Sequence, residues 1–194
     1  MQAIPPSSVN HHIVILSAPS GAGKGTLATH LFQRFPLLTL SVSATTRPLR
    51  GEEQHGREYY FVSHEVFERL IEEDAFVEWE EVYQDIRYGT LHCELERIWE
   101  LGRSVLFDVD VKGGIRLKQI FGAQALSIFI QPPSLEVLKE RLEQRGVDTP
   151  ESIQKRMAKA EEEMSYAPHF DVIIINDVLE DAKQQIEAAV EGFV

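Results

Sequence analysis

At 194 residues the chain can bury one substantial core, and its 43% hydrophobic and 26% charged residues are ordinary for a globular protein and unlike a disordered or fibrous one. The formal net charge of -12 argues against broad nucleic-acid binding, because phosphate backbones are held by basic surfaces; an anionic ligand must be held by local cations working against the global field. The longest apolar runs are strand-sized, far short of the ~20 residues a membrane helix needs, and the one cysteine, Cys93, permits no internal disulfide, in keeping with a reducing compartment.

Residues 1–11 lack the basic start and long apolar centre of a signal peptide and read as a loose polar lead-in with no export mark. His12 to Leu16 reads as a fully buried strand, and Lys24 to Phe35 as a helix with Leu27, Leu31 and Phe32 on one side. Between them lies Ser17-Ala18-Pro19-Ser20-Gly21-Ala22-Gly23-Lys24-Gly25-Thr26. In that setting glycines let backbone N–H groups converge on phosphate oxygens, the helix N-terminus adds partial positive charge, and Lys24 supplies a full one. The plain alternative is a glycine-rich turn with a solvent-facing lysine. Two positions depart from G-x-x-x-x-G-K-[ST]: Ala18 stands where glycine is usual, and Gly25 where a hydroxyl normally helps to position Mg²⁺. Thr26 is the nearest substitute hydroxyl; otherwise the ion is held by waters and substrate phosphates.

The segment from Ser43 to Leu101 mixes aromatic and charged residues and reads as a small mixed β unit inserted between sheet strands. Within it Ser63 can cap a helix from Val66 to Glu73. Further buried strands are expected at Ser104 to Val109, Ala125 to Ile130 and Val172 to Ile175. Ser134 can cap Leu135 to Gln144 with Gly146 just past the end, and Thr149-Pro150 opens a helix to about Glu163. The run Glu161 to Glu163 reads as a solvated face. Continuous apolar strands alternating with helices indicate an α/β fold, a central parallel sheet covered on both faces.

Several strings resemble guanylate kinases in order along nearly the whole chain after about residue 12: the phosphate loop, Ser41-Val42-Ser43-Ala44-Thr45-Thr46-Arg47-Pro48-Leu49-Arg50-Gly51-Glu52, Gly56-Arg57-Glu58-Tyr59-Tyr60-Phe61-Val62, Phe76-Val77-Glu78-Trp79, Tyr88-Gly89-Thr90, Phe107-Asp108-Val109-Asp110, Arg141, Arg145-Gly146, Lys155-Arg156 and Ile175-Asn176-Asp177. The resemblance implies a three-layer P-loop kinase: a core of residues 12–42 and 104–194, an acceptor-binding insertion over 43–103 and a helical lid over about 134–165. It implies transfer of a phosphoryl group from ATP to GMP, with dGMP as a further acceptor, Mg²⁺ accompanying ATP, and a cytoplasmic place in purine nucleotide metabolism. Adenylate kinases carry a similar Gly-Lys-Gly-Thr string, so the Gly25 departure is compatible with monophosphate kinase chemistry.

Chemistry supports these roles residue by residue. Two guanidinium forks, Arg47 and Arg50, flank a proline turn and can grip one phosphate, to which Tyr59 and Tyr88 could donate phenolic hydrogen bonds. The resemblance makes Glu78 the carboxylate that accepts guanine N1–H and the exocyclic amine together, with Ser43 donating to O6 and Gly89 and Thr90 beside it. The stretch Tyr83-Gln84-Asp85-Ile86-Arg87 is a residue longer than the family pattern. Asp108 and Asp110 end a strand with side chains facing one way, Asp108 for the metal through water and Asp110 for the acceptor; capping of the next helix is the alternative. Arg145 and Arg156 are lid arginines brought to the transferring group, with Arg141 and Asn176 as further contacts to ATP. No general base is evident, and none is needed, because a nucleotide phosphate is already an anionic nucleophile. The rivals are a catalytically silent guanylate-kinase-like binding module and a kinase for another monophosphate.

Overall fold

The computed structural model describes residues 12–144, 146 and 149–194, so the lead-in 1–11 and Arg145 lie outside the described residues. In chain order the elements are β1 (Ile13–Ser17), α1 (Lys24–Arg34), β2 (Leu38–Leu40), β3 (Ala44–Thr45), β4 (Tyr60–Phe61), α2 (His64–Glu72), β5 (Phe76–Tyr83) and β6 (Ile86–Leu91). They continue with α3 (His92–Glu100), β7 (Ser104–Asp108), α4 (Val111–Phe121), β8 (Ala125–Gln131), α5 (Leu135–Gln144), α6 (Pro150–Ser165), β9 (Val172–Ile175) and α7 (Leu179–Glu191).

Five parallel strands form the main sheet in the order β2-β7-β1-β8-β9, with β1 at the centre. All five residues of β1 are buried, which requires cover on both faces. The alternation of side chains explains how: Val14 and Leu16 pack with Leu27 and Leu31 of α1 and Ile186 of α7, while Ile13 and Ile15 pack with Leu95 of α3 and Leu117 of α4. The α/β architecture expected from the apolar strands is the one found.

A second, mixed sheet runs β4-β3-β6-β5, with β3 and β4 parallel and the other pairs antiparallel. It is not insulated from the main sheet, because Val77 of β5 and Leu95 and Ile98 of α3 share the cluster containing Ile13 and Phe107. β5 is irregular: register shifts fall between Phe76 and Glu78 and between Glu81 and Tyr83, the pattern of bulges at Val77 and Val82. The hairpin then turns at Gln84 and Asp85, the latter at φ 60, a conformation Asp tolerates better than most residues.

Capping chemistry sets the helix starts. Ser63 accepts from Val66 N, Ser134 Oγ from Val137 N at 3.3 Å, and Thr149 from Ser152 N. One expectation needs correction: β7 stops at Asp108, and Asp110 is the N-cap of α4, its Oδ1 accepting from Gly113 N at 2.8 Å. Among the described residues no helix is long and apolar enough to cross a membrane.

Candidate active site

A cleft of about 560 Å³ opens at the carboxyl ends of β1, β2 and β7, the edge where open parallel sheets present ligand-facing loops. One wall is the loop after β1. Gly21 and Gly23 sit at φ 97 and 95, left-handed values that favour glycine, and a Cβ on Gly21 would lie 2.9 Å from Leu142 Cδ2. Ala18 is not among the positive-φ residues, so its methyl is no obstacle. The loop is tied from below by Asn176, whose Nδ2 donates to Ala22 O at 2.8 Å. Arg141 Nη2 in turn donates to Asn176 O at 2.9 Å, anchoring α5 at the end of β9.

Lys24, first residue of α1, reaches across the loop, donating to Val109 O at 2.8 Å and pairing with Asp108. Arg156 of α6 hydrogen-bonds Ser20 Oγ, so that helix meets the loop directly. A Cβ on Gly25 would meet nothing within 4 Å, so the missing hydroxyl is not a steric requirement.

The mixed sheet forms the opposite wall. Glu78 is only 7% exposed, with Oε1 accepting from the buried Thr90 hydroxyl at 2.9 Å. Burial pushes its carboxyl up to about 7; the Asp110 and Glu80 charges add to the rise and the Thr90 bond opposes it. A strand glutamate beside a tryptophan is more often solvated, but here bulging of β5 and packing of the sheet on α4 enclose it. Tyr59 and Tyr88 meet edge to face at 5.6 Å.

Gly89 has no room for a side chain: a Cβ would lie 2.8 Å from Trp79 Cβ and 2.9 Å from Glu78 O. Gly89→Ala is therefore expected to cost roughly 1–3 kcal/mol by overpacking. Thermal unfolding should show a Tm several degrees lower; an unchanged Tm would mean the strand shifts freely.

Ser43, Tyr59, Glu78, Tyr88, Gly89, Asp108 and Asp110 all line the cleft with Lys24 and Thr26. Thr90 is fully buried and bonded to Glu78. Arg47 and Arg50 do not line it: Arg47 is 6% exposed and ion-paired with Glu53, and Arg50 lies on an exposed turn. Asn176 and Arg141 also stand away from the lining, engaged in bracing the loop.

The sequence reading missed Ser41, Glu80, Lys159 and Glu163 in the lining. Glu163 corrects the solvated-face reading: its side chain is 13% exposed, burial raises its pKa, and it pairs with Lys159 at 3.6 Å. The signal was helical spacing, since Arg156, Lys159 and Glu163 recur at i, i+3 and i+7 on one face of α6. Among the described residues no group of three or more His, Cys, Asp or Glu side chains is placed to hold a metal by itself. Asp108 and the Thr26 hydroxyl are hard oxygen donors beside the loop, a small set that suits Mg²⁺, which keeps waters and takes ligands from substrate phosphates.

Comparison with known proteins identifies the family. Residues 10–192 match the family model described as guanylate kinase. A guanylate kinase of Porphyromonas gingivalis is 50% identical over 183 residues, covering 94% of this chain and 97% of that protein. One from Bacteroides fragilis is 49% identical over 182 residues, covering 94% and 89%. The crystal structure of guanylate kinase from Anaplasma phagocytophilum superposes with a TM-score of 0.72 at 30% identity, covering 96% of this chain and 87% of that one.

Proposed function

The chain belongs to the guanylate kinase family, and from that premise we propose that its cleft moves the terminal phosphoryl group of ATP onto GMP, giving ADP and GDP. The observation that carries this reading is a single cleft with a lysine-bearing phosphate loop on one wall and a buried carboxylate, Glu78, on the other. The loop's backbone N–H groups and the start of α1 cradle the ATP phosphates, and Lys24 exchanges Asp108 for the developing charge. Glu78, oriented by Thr90, reads guanine; Ser43 and Asp110 contact the acceptor from the cleft lining, and Tyr59 and Tyr88 hold its phosphate, joined from outside that lining by Arg47, which stacks on Tyr59, and by Arg50. Asn176 and Arg141 support ATP binding through the loop they brace.

Mg²⁺ entering with ATP would be held by Asp108, through water, and by the Thr26 hydroxyl, and it neutralises phosphate charge when bound. The reaction needs no proton removal from the acceptor. The chain's task is alignment, charge compensation and, through α5 and α6, exclusion of water that would hydrolyse ATP. Both substrates belong to the nucleotide pool of the cytoplasm, which we propose as its place of action.

The test is a panel of GMP, dGMP, AMP, CMP, UMP and dTMP as acceptors with MgATP, followed by ADP release. GMP is expected to lead, with dGMP next. Conversion of AMP or a pyrimidine nucleotide as fast as GMP would sink the reading, and absence of turnover with every acceptor would favour a binding module.

Glu78 yields a pH prediction. To accept two guanine donors it must be ionised, yet its carboxyl in the free protein titrates at about 7. kcat/KM for GMP should therefore climb as pH rises through 7 and level off above it. The nucleotide's own phosphate ionisation contributes to any such climb, so the diagnostic is the part lost in Glu78→Gln. The sign for stability is opposite: the fold binds this proton more tightly than the unfolded chain, so the contribution is complete below the unfolded carboxylate range and is lost as pH rises through 7. In Glu78→Gln one acceptor oxygen becomes a donor facing a donor, and GMP efficiency should fall by at least about tenfold. IMP, lacking the exocyclic amine, should lose less, narrowing the GMP to IMP preference. An unchanged ratio would move the guanine reader elsewhere.

A further inference from the structure

Glu53 has no part in the scheme so far, yet it makes the most complete side-chain contact to a proposed phosphate-binding residue. A guanidinium has five N–H groups in one plane. In Arg47, Nη1 and Nη2 donate to the two oxygens of Glu53, each at 2.7 Å, and Nη1 also donates to Pro48 O at 2.9 Å. These bonds use three N–H groups. The remaining Nε–H and second Nη2–H lie side by side along one edge, a two-pronged fork of the kind that grips a phosphate. The group also stacks on Tyr59 and Phe61, 4.8 and 5.3 Å from their ring centroids. The Tyr59 and Tyr88 hydroxyls that act on it belong to residues lining the cleft.

The same carboxylate closes the turn that carries the second arginine, with Glu53 Oε2 accepting from Arg50 N at 2.8 Å. One side chain thus holds the guanidinium of Arg47 and the backbone of Arg50 together. On charge alone this is counterproductive, because a carboxylate beside two arginines cancels half of their attraction for an anion. An arginine free to swing among rotamers, however, must be ordered each time the ligand arrives, and an arginine already clamped need not be.

We propose that Glu53 is a positioning residue for acceptor-phosphate recognition, holding Arg47 against Tyr59 with its Nε–Nη2 edge left over from the clamp, and locking the Arg47–Arg50 turn. This rests on the reading of Arg47 as a phosphate ligand. The two physical effects predict opposite signs. If charge dominated, Glu53→Gln would tighten GMP binding; if positioning dominates, it loosens it.

The experiment is calorimetric titration of wild type, Glu53→Gln and Glu53→Asp with GMP and, separately, with guanosine, which presents the same base and sugar without phosphate. Wild type should bind GMP more tightly than guanosine. In Glu53→Gln the GMP to guanosine affinity ratio is expected to fall by at least about tenfold, the value of one charged hydrogen bond, with guanosine binding unchanged. In turnover the KM for GMP should rise while kcat stays within about twofold, and Glu53→Asp should recover part of the loss. Unchanged guanosine binding also certifies that a variant is folded; should Glu53→Gln not fold, the same ratio in Glu53→Asp, reduced but not lost, carries the test. A wild type that binds GMP no better than guanosine overturns the Arg47 reading and this inference with it. A wild type that discriminates, with a Glu53→Gln ratio equal or higher, overturns the role of Glu53 alone.

Discussion

Lys24→Ala is expected to lower kcat by at least about 100-fold, toward the upper end of the roughly 10²–10³ range for loss of one preorganised donor, because a full charge is removed as well as a hydrogen bond. The fold should survive. The loop's shape comes from Gly21, Gly23 and the Asn176 bond to Ala22, none of which involves the lysine. The Asp108 carboxylate left behind is 35% exposed and is solvated when its partner goes, so Tm should move by only a few degrees. Turnover with GMP and a thermal melt on the same preparation check both halves. A near-normal kcat would exclude the phosphate-loop role of Lys24, whereas a collapsed Tm would make the ion pair structural.

Arg156→Ala should also act on kcat, by about 100-fold, with the KM for GMP held within about threefold. In the free protein its guanidinium is engaged by Ser20 of the phosphate loop, on the ATP side of the cleft and away from Glu78 and Tyr88. We propose that, when ATP fills the loop, its γ-phosphate replaces Ser20 as the partner of Arg156. Arg156→Lys keeps a charge but loses the fork and should recover only part of the rate. Arg145, outside the described residues, is expected to show the same division between kcat and KM. A raised KM for GMP at unchanged kcat would put Arg156 in the acceptor site instead.

The readable parts of this protein were those whose physics is local. β1, β7, β8 and β9 are continuous apolar runs, and such runs have few places to go except a sheet covered on both faces. The glycine loop was legible because left-handed backbone selects glycine and a strand and a helix flank it. Asn176, Glu53 and Glu163 were not legible, because each takes its meaning from a partner on another element. An asparagine after the last strand reads as a contact to ATP, and only the fold reveals that its amide also donates to Ala22 O. Glu163 belonged to a run of three glutamates, and composition does not say which of them turns inward. Asp110 shows the limit of strand periodicity: alternation pairs it with Asp108 only while the strand lasts, and the strand ends first.

The brace between Asn176 and Ala22 also has a consequence for how the protein comes into being. The two residues are 154 positions apart, and β1, which leads into the loop, finds its neighbours only in β7 and β8. While the chain is being synthesised, the loop after β1 emerges well before the strands that flank it, and longer still before the amide that underpins it. Contacts this distant along the chain form slowly, and nascent intermediates expose the apolar face of an unpaired β1. Nucleotide affinity should thus appear abruptly, only once β9 and Asn176 have followed the earlier strands out of the ribosome.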